Sequence, residues 1–475
     1  MAPLFPGGGG GGRMGVGLER WPRRGVWDAG AVRQMLLGIG VMVLSQLVRA
    51  DRGAEGSRSF RVAFLQEELE FQLTADFSAD AVALRFCAEH GFDTTHVRAV
   101  RELVENAVHE ALGADRIAAG MQGEDSEARW FVESVCRDFP RLHRLNQLFE
   151  GQITTHVLKT LAVRSEPRRV IDAVPFFNEL EMLRVRFEEL DPVVDKFVLV
   201  ESAMTHSGKP KPLHFEDNRS RFEPWLDKIV HVVMETLPDS LDHWVRERSQ
   251  RDGIHEGVAQ TGALPEDLLL VSDTDEIPRR STVRAMSWCD GLSTPAQLRS
   301  AFYYYSLQYR WQFFTAGHPP VLEPFQWKQP RAALVGELLY PRLTVNHLRY
   351  DPGEHNMEEI NDGAWHLSFF GGEDRVRVKL EAYAHQEHNT PDVTNIEHIR
   401  SAMAKGADLF GRGAVHGELM NCTEPYDLPA AILADAATGA QTFALWLPHA
   451  FDVSAYRGSG LLESSRVGFR DTNEL

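Results

Sequence analysis

The feature that most constrains the fold is a short apolar run that ends in a cluster of carboxylates. Residues Leu268–Val271 are uninterrupted aliphatics, and Asp273, Asp275 and Glu276 follow them directly. A run this short is typical of a buried parallel strand, because buried helices are longer. Open α/β sheets bind ligands at the carboxyl ends of their strands. Carboxylates spaced one residue apart suit a hard divalent cation that also holds a diphosphate. The segment therefore predicts a ligand site at one sheet edge, whereas an isolated Asp-x-Asp pair is usually a solvated turn.

From residue 168 onward the sequence alternates strand-like and helix-like segments, which predicts a parallel, doubly wound α/β sheet. The predicted strands are Val170–Val174, Lys196–Val200, Ile229–Met234 and Leu268–Val271. Asn178 and Glu179 follow the first strand, and Glu201 follows the second. A carboxylate at the end of an early strand commonly binds a ribose hydroxyl or a base N–H, so Glu201 is a predicted nucleoside contact. Asn178 fits a ligand contact and a helix cap equally well.

A series of further motifs resembles those of glycosyltransferase family 17. The motifs keep the family's order and cover roughly residues 168 to 448. They are Arg168–Glu181, Phe187–Leu190, Val193–Asp195, Phe197–Ser202, Thr205, Gly208–Leu213, the acidic segment, Gly363–Ser368, Lys379 and Ala384–Glu387. The resemblance implies a GT-A fold, which is a Rossmann-type nucleotide-diphospho-sugar transferase domain. It also implies a nucleotide-sugar donor, a divalent metal and inversion at the anomeric carbon.

The activity that the resemblance implies is transfer of N-acetylglucosamine from UDP-N-acetylglucosamine, in β-1,4 linkage, to a mannose of an N-glycan core. The implied metal is Mn²⁺ or Mg²⁺, and the implied acceptor is an N-glycan or a glycoprotein. Residues 281 to 360 match the family poorly, so a different glycan acceptor or donor sugar is an alternative. A metal-dependent nucleotidyltransferase or phosphohydrolase is a further alternative, but the sequence shows neither extra acidic ligands nor a phosphate-binding loop. A lectin-like pseudoenzyme ranks third, because the acidic motif is intact.

The predicted metal ligands lie on two of these motifs. Asp275 is the predicted direct ligand, Asp273 its partner through ribose or water, and His366 a predicted third ligand that competes with His385. The resemblance also places Arg251 near the donor, where it bonds the nucleotide or orients Asp273. A plain salt bridge between Arg251 and Glu247, four positions apart on a helix, is the alternative.

Three residues near the carboxyl end of the domain complete the predicted site. Lys379 lies on a predicted helix, and its predicted role is to neutralise the leaving UDP, although solvated helix lysines are commoner. Inverting transfer needs a base that deprotonates the acceptor hydroxyl. Glu373 and Asp374 are the predicted candidates, because inverting GT-A enzymes often carry a carboxylate after the acceptor strand. The stretch that contains them is not a close match to the family motif.

The amino-terminal residues 1–50 predict entry into the secretory pathway. A glycine-rich segment with several arginines precedes the uncharged run Met35–Val48. Positive charge ahead of an apolar run keeps the amino terminus cytosolic. The length of the run leaves a signal-anchor, a cleaved signal peptide and a buried helix open. The resemblance favours the anchor, and hence a single-pass type II Golgi membrane protein with a lumenal catalytic domain. A secreted or lumenal protein after signal cleavage is the alternative.

The remaining segments carry little chemistry. Residues 51–167 predict a small α+β or helical stem domain, 168–448 the GT-A domain, and 449–475 an unstructured tail. A net charge of −18 argues against a nucleic-acid partner, because phosphate binding needs clustered Lys and Arg. The four cysteines have no metal-binding spacing. In a secretory lumen one or two disulfides are expected, with buried free thiols as the alternative, and the sequence does not specify a pairing.

Overall fold

A computed structural model of the chain describes residues 49–52, 58–64, 67–74, 77–90, 94–113, 117, 126–149, 161–314, 322–324, 326–339, 344–350, 357–412, 418–421, 428–429, 431–432 and 446. All of them belong to one unit, Met42–Leu475. The predicted anchor run Met35–Val48 and the predicted tail 449–475 lie outside the described residues. Within the described ranges, no helix combines the length and apolar character needed to cross a membrane.

The strands are named in chain order. They are β1 Arg49–Arg52, β2 Arg58–Phe64, β3 Glu67–Leu73, β4 Ala162–Val163, β5 Val170–Phe176, β6 Lys196–Ser202, β7 Ile229–Met234, β8 Leu268–Val271, β9 Glu276–Pro278, β10 Cys289–Asp290, β11 Ala296–Tyr304, β12 Tyr309–Phe314, β13 Leu322–Pro324, β14 Gln326–Trp327, β15 Arg331–Leu334, β16 Glu358–Ser368 and β17 Glu418–Asn421.

The helices are numbered separately. They are α1 Ala79–His90, α2 Thr94–Leu112, α3 Ser126–Phe149, α4 Leu180–Leu190, α5 His214–Asp217, α6 His243–Asp252, α7 Ile254–Gln260, α8 Arg280–Trp288, α9 Val335–Leu339, α10 Val345–Tyr350, α11 Glu373–Ala382 and α12 Ile396–Lys405. Short 3₁₀ helices cover Arg219–Trp225 and Gln386–His388.

A twelve-stranded mixed sheet forms the centre of the described region. Its parallel part has the order β8-β5-β6-β7, with all three neighbouring pairs parallel. These are the four strands that the sequence predicted, and β8 has the predicted bounds. The mixed α/β class is therefore confirmed. Beyond β8 the sheet continues through antiparallel β15 to β11, and β16 runs parallel to β11.

Helices cover both faces of the parallel strands, which explains why these strands read as continuous apolar runs. Leu270 of β8 packs in one buried cluster with Phe187 of α4. Its neighbour Leu269 points to the opposite face and packs in another cluster with Ile254 of α7. A Cβ at Gly257 would lie 2.2 Å from a valine side-chain carbon of β6, so only glycine lets α7 approach the sheet this closely. The two-sided burial fixes where β8 ends, and thereby the position of the acidic segment.

The amino-terminal helices are tied to the helix that follows the acidic segment. Arg284 of α8 donates to Glu105 of α2 at 3.2 Å, and both side chains are buried. A disulfide joins Cys136 of α3 to Cys289 of β10, a pairing that the sequence left open. Cys87 is a buried free cysteine. The separate stem domain at 51–167 stays a prediction, but these contacts make α2 and α3 part of the support for the sheet.

Candidate active site

A buried arginine holds the turn between β8 and β9 in place. Arg186 of α4 forms a bidentate ion pair with Asp172 of β5, at 2.5 and 2.6 Å. The same guanidinium donates to the carbonyl oxygens of Asp273 and Glu276, at 3.2 and 2.7 Å. Thr274 Oγ1 donates to a β5 carbonyl at 2.9 Å and fixes the turn from the other side. These bonds leave the Asp273 and Asp275 side chains facing a cavity of about 290 Å³.

The cavity has an aromatic, a basic and an acidic part. Residues from the ends of β5 and β6, from α6, from the acidic segment, from α10 and from α11 contribute to its wall. The aromatic side chains are Phe176, Phe177, His206, Trp244, Trp327, Tyr350, Tyr383 and His385, the basic ones Lys211, Arg251, Arg349 and Lys379, and the acidic ones Glu179, Glu247, Asp273 and Asp275. Paired charges of both signs in a largely apolar cleft suit a polar ligand that carries a flat ring.

Two arginines neutralise Asp273. Arg251 Nη1 lies 2.8 Å from Oδ1, and Arg349 Nη2 lies 2.6 Å from Oδ2. Burial acts against ionisation, but the two guanidinium groups outweigh it and hold the pKa of Asp273 below its ordinary value. Arg251 also pairs with Glu247 at 2.9 Å, yet its side chain is only 1% exposed. The salt bridge between Arg251 and Glu247, which was the alternative to a role near the donor, is therefore present. It is buried in the cavity wall, and Arg251 also orients Asp273.

Asp275 faces a lysine and a histidine. Lys379 Nζ lies 2.6 Å from Oδ2, and His366 Nε2 lies 3.7 Å from Oδ1. Burial again opposes ionisation, and the ammonium followed by the imidazole outweighs it, so the pKa of Asp275 is lowered. Burial lowers the pKa of His366, which keeps the ring neutral near pH 7. Four of the predicted residues, Asp273, Asp275, His366 and Lys379, are thus brought together.

The donor set fits a divalent cation at Asp275 and His366. Carboxylate oxygens suit Mg²⁺ and Mn²⁺, and a neutral imidazole is a common metal ligand. His366 is fixed by stacking on Phe302 at 4.5 Å, and its buried Nδ1 has no hydrogen-bond partner among the described residues. Asp273 is already neutralised by two arginines, so it is less available as a direct ligand. Asp275 also has a cationic partner, Lys379, and its role as the direct ligand with Asp273 as its partner stays a prediction.

Glu201 lies behind the cavity wall rather than in it. Its fully buried carboxylate accepts from the Phe215 amide at 3.1 Å, from Lys211 at 3.4 Å and from His231 at 3.1 Å. Lys211 does line the cavity. The predicted nucleoside contact is therefore positioned to act through Lys211, a residue that the sequence analysis did not single out.

Asn178 lines a second cavity, of about 240 Å³. Its carbonyl oxygen accepts from Arg375 Nη1 at 2.8 Å. The two cavities share Glu179, Asp275 and Lys379. Because three residues border both spaces, a ligand in one space lies next to a ligand in the other.

The structure does not bring Glu373 and Asp374 to either cavity. Glu373 accepts from Arg400 at 3.1 Å on the outer side of α11. Asp374 pairs with Arg377 at 3.2 Å, and its side chain is 81% exposed. Among the described residues that line the two cavities, neither carboxylate appears. Both acids occupy the first turn of α11, where the helix dipole stabilises them without a ligand.

Arg349 is the site residue that the sequence analysis missed most clearly. It lies on α10, 76 positions beyond Asp273. It also donates to both carboxylate oxygens of the buried Glu276, at 2.8 and 3.0 Å. No local motif marks it, because only the folded sheet brings α10 beside the acidic segment.

Comparison with known proteins identifies relatives. The sequence model of glycosyltransferase family 17 matches residues 151–413, more than half of the chain. Enzymes named β-1,4-mannosyl-glycoprotein 4-β-N-acetylglucosaminyltransferase are similar in sequence. Those of Rattus norvegicus and Homo sapiens are each 34% identical over 182 residues, which is 36% of this chain and 33% and 34% of theirs. That of Mus musculus is 36% identical over 141 residues, 28% of this chain and 26% of its own. The match spans about a third of the relatives' length.

Two solved structures are similar at lower sequence identity. The mannosyltransferase PcManGT from Pyrobaculum calidifontis, in complex with GDP-Man and Mn²⁺, covers 72% of this chain and 96% of its own, with 14% identity and a TM-score of 0.28. A 4-diphosphocytidyl-2C-methyl-D-erythritol synthase covers 45% of this chain and 99% of its own, with 14% identity and a TM-score of 0.26.

Proposed function

This chain belongs to glycosyltransferase family 17, and we propose that it transfers N-acetylglucosamine from UDP-N-acetylglucosamine to a mannose of an N-glycan core, in β-1,4 linkage and with inversion. The observation that carries the proposal is the pair of adjoining cavities that share Glu179, Asp275 and Lys379. A transferase needs a donor and an acceptor side by side, with the reacting atoms at the junction. A hydrolase or a binding protein needs only one such space.

A GT-A fold accounts for the arrangement. The strand order β7-β6-β5-β8 places the carboxyl ends of four parallel strands along one edge of the sheet. The acidic segment follows β8, and the first cavity opens where ligands of open α/β sheets bind. The order of elements and the position of the carboxylates both support this fold.

The first cavity suits the nucleotide sugar. Lys211 and Lys379 contribute positive charge to the wall, while Phe177 and Trp244 offer flat surfaces for a base. A bound Mn²⁺ or Mg²⁺ would be held by Asp275 and His366 and would stabilise negative charge on the departing UDP as a Lewis acid. The role of Lys379 is to add a fixed cation beside the same carboxylate, at 2.6 Å from Asp275. Arg251 and Arg349 keep Asp273 ionised and immobile.

We place the site in the lumen of the secretory pathway, at the Golgi membrane, anchored through the amino-terminal segment or released from it by signal cleavage. The disulfide between Cys136 and Cys289 supports an oxidising compartment, because disulfides persist there and are rare in the cytosol.

The test is release of UDP from a panel of UDP-sugars with Mn²⁺, with and without acceptor. The acceptors are a biantennary N-glycan, free chitobiose and simple β-mannosides. We expect acceptor-dependent release from UDP-N-acetylglucosamine with the N-glycan. The Asp275→Asn variant should lose this activity while it stays folded, with a lower melting temperature because Lys379 loses its counter-charge. Transfer only to an acceptor without mannose would overturn the proposed acceptor, and the proposed glycosyltransferase activity would stand. Release of UDP that never depends on an acceptor would overturn the proposed transfer reaction.

A further inference from the structure

We propose that Glu179 is the general base of the transfer, and that the second cavity is the subsite for the acceptor sugar. The inference rests on the proposed function, because it assigns the base and the acceptor subsite of the same reaction. It starts from the position of Glu179, which follows β5, precedes α4 and borders both cavities.

The carboxylates around the two cavities differ in their partners. Asp273, Asp275 and Glu247 are each held by an arginine or a lysine at 2.9 Å or less. Glu181 is held by Arg375 at 2.5 Å. A carboxylate that is paired with a fixed cation has a reduced affinity for a proton, and its oxygens are not free to accept one.

Glu179 lacks such a partner. Its Oε2 accepts a hydrogen bond from the Asn178 amide at 3.1 Å, and no ion pair involves it within the described part of the chain. The side chain is half-buried, so it is held in the cavity wall and still reaches the open space. Of the described carboxylates that line both cavities, Asp275 is bound to Lys379, and Glu179 is the one left to accept a proton.

The shared lining connects Glu179 to the reacting end of the donor. Glu179 lines both cavities together with Lys379 and Asp275, and Lys379 Nζ lies 2.6 Å from Asp275 Oδ2. Glu179 therefore lies at the junction of the two cavities, which the predicted metal ligand also borders. A base at this junction is placed to meet an acceptor hydroxyl bound in the second cavity.

The second cavity has the surface of a sugar-binding subsite. Leu367, Phe369, Phe370 and Trp446 form an apolar and aromatic wall. Asn178 and the ion pair of Glu181 with Arg375 form a polar rim. Pyranose rings bind such surfaces with their C–H face against an aromatic side chain and their hydroxyls toward polar groups.

The chemistry is a single displacement. The acceptor hydroxyl gives its proton to the Glu179 carboxylate as its oxygen bonds to the anomeric carbon of the donor. The bond between that carbon and the β-phosphate oxygen breaks, and its electron pair leaves with UDP. Glu179 then releases the proton to solvent. The product carries the inverted configuration, and no further reactant is required.

The decisive variant is Glu179→Gln, which keeps the size of the side chain and removes the base. We expect kcat with UDP-N-acetylglucosamine and a biantennary N-glycan to fall by about 100-fold or more. Titration of UDP with Mn²⁺ should give a Kd within about threefold of wild type, because ground-state donor binding is retained. The pH profile of kcat/KM for wild type should differ from that of the residual activity of the variant.

The matched control is Glu188→Gln, which removes the same charge from α4, the helix that Glu179 precedes. Glu188 pairs with Arg184 at 2.6 Å and lines neither cavity, so the Glu188→Gln variant should have wild-type activity. If Glu179→Gln does not fold, Glu179→Ala with added formate gives a second test, since a small carboxylate should restore turnover in the vacated space. Asp374→Asn tests the base predicted from the sequence.

Three results would overturn the inference. If Glu179→Gln has wild-type turnover, Glu179 is not the general base. If Asp374→Asn alone loses turnover, Asp374 is the general base. An equal loss of donor affinity and turnover with an unchanged pH profile makes Glu179 a donor contact instead. Failure of the proposed function looks different, because wild type itself would then transfer no sugar to any acceptor.

Discussion

The disulfide between Cys136 and Cys289 should supply a large share of the stability of the fold. The two residues are 153 positions apart, so the bond closes a loop that contains β5 to β8 and the acidic segment. The chain-entropy relation gives about 5 kcal/mol for a loop of this length, and measured losses are typically about 2–5 kcal/mol. Folded domains are stable by only about 5–15 kcal/mol in total. Cys136→Ser combined with Cys289→Ser should therefore remove a sizeable part of the free energy of unfolding.

The measurement is urea unfolding at pH 7, followed by circular dichroism with and without a reductant. Wild type should lose stability in the reductant, and the double variant should be insensitive to it. Cys87 is outside this disulfide and is kept in both proteins, so any effect of the reductant on it is common to both. Equal midpoints for oxidised wild type and the double variant would show that the disulfide does not stabilise the fold.

Three further predictions concern buried charges. Arg349→Met should destabilise the fold by about 3–5 kcal/mol, because Glu276 is left buried beside Asp273 without its main counter-charge; a urea midpoint like that of wild type would refute this. Burial lowers the pKa of His109 to about 2, so the unfolded chain binds a proton below pH 6.5 that the folded chain does not. The contribution of His109 to stability is complete above pH 6.5 and declines by about 1.4 kcal/mol per pH unit below it. Urea titrations from pH 7 to pH 5 should show a shallower decline in His109→Gln, and parallel curves would contradict the assignment. Asp275→Ala should abolish the Mn²⁺-dependent part of UDP binding in calorimetry. An unchanged affinity for UDP would show that Asp275 is not a metal ligand.

Local sequence patterns predicted the parallel strands well. Every residue of Leu268–Val271 is buried, and this strand has the predicted bounds. Ile229–Met234 also has the predicted bounds, although only Ile229 and Val232 are buried in it. A strand that is apolar along its length leaves a pattern that needs no knowledge of distant contacts. The acidic segment was predictable because it begins where the apolar run of β8 stops.

Part of the predicted ligand group came together through the pairing of strands in the sheet. Asp275 follows β8, and His366 lies on β16, which pairs with β9 beside the acidic segment. Sheet pairing brings such positions to one edge whatever the loops between them contain. Lys379 was placed by resemblance, and its contact with Asp275 depends on how α11 packs.

Other parts of the site were not predictable, because they depend on contacts between distant segments. Arg349 reaches Asp273 only after α10 has packed beside the acidic segment. Glu201 lies inside β6 rather than after it, and its buried carboxylate faces Lys211 and not the cavity. Glu179 precedes α4 and Glu373 begins α11, and only the two cavities distinguish these two acids.

The measurement that tests the central claim most directly is the structure of the product. The purified protein is incubated with UDP-N-acetylglucosamine, Mn²⁺ and a biantennary N-glycan, and the glycan is then examined by nuclear magnetic resonance. The account predicts one added N-acetylglucosamine, with the β configuration, on the 4-hydroxyl of the core mannose. An α linkage would contradict inversion by a single displacement, and an unchanged glycan with free N-acetylglucosamine would contradict the assignment of the second cavity to an acceptor.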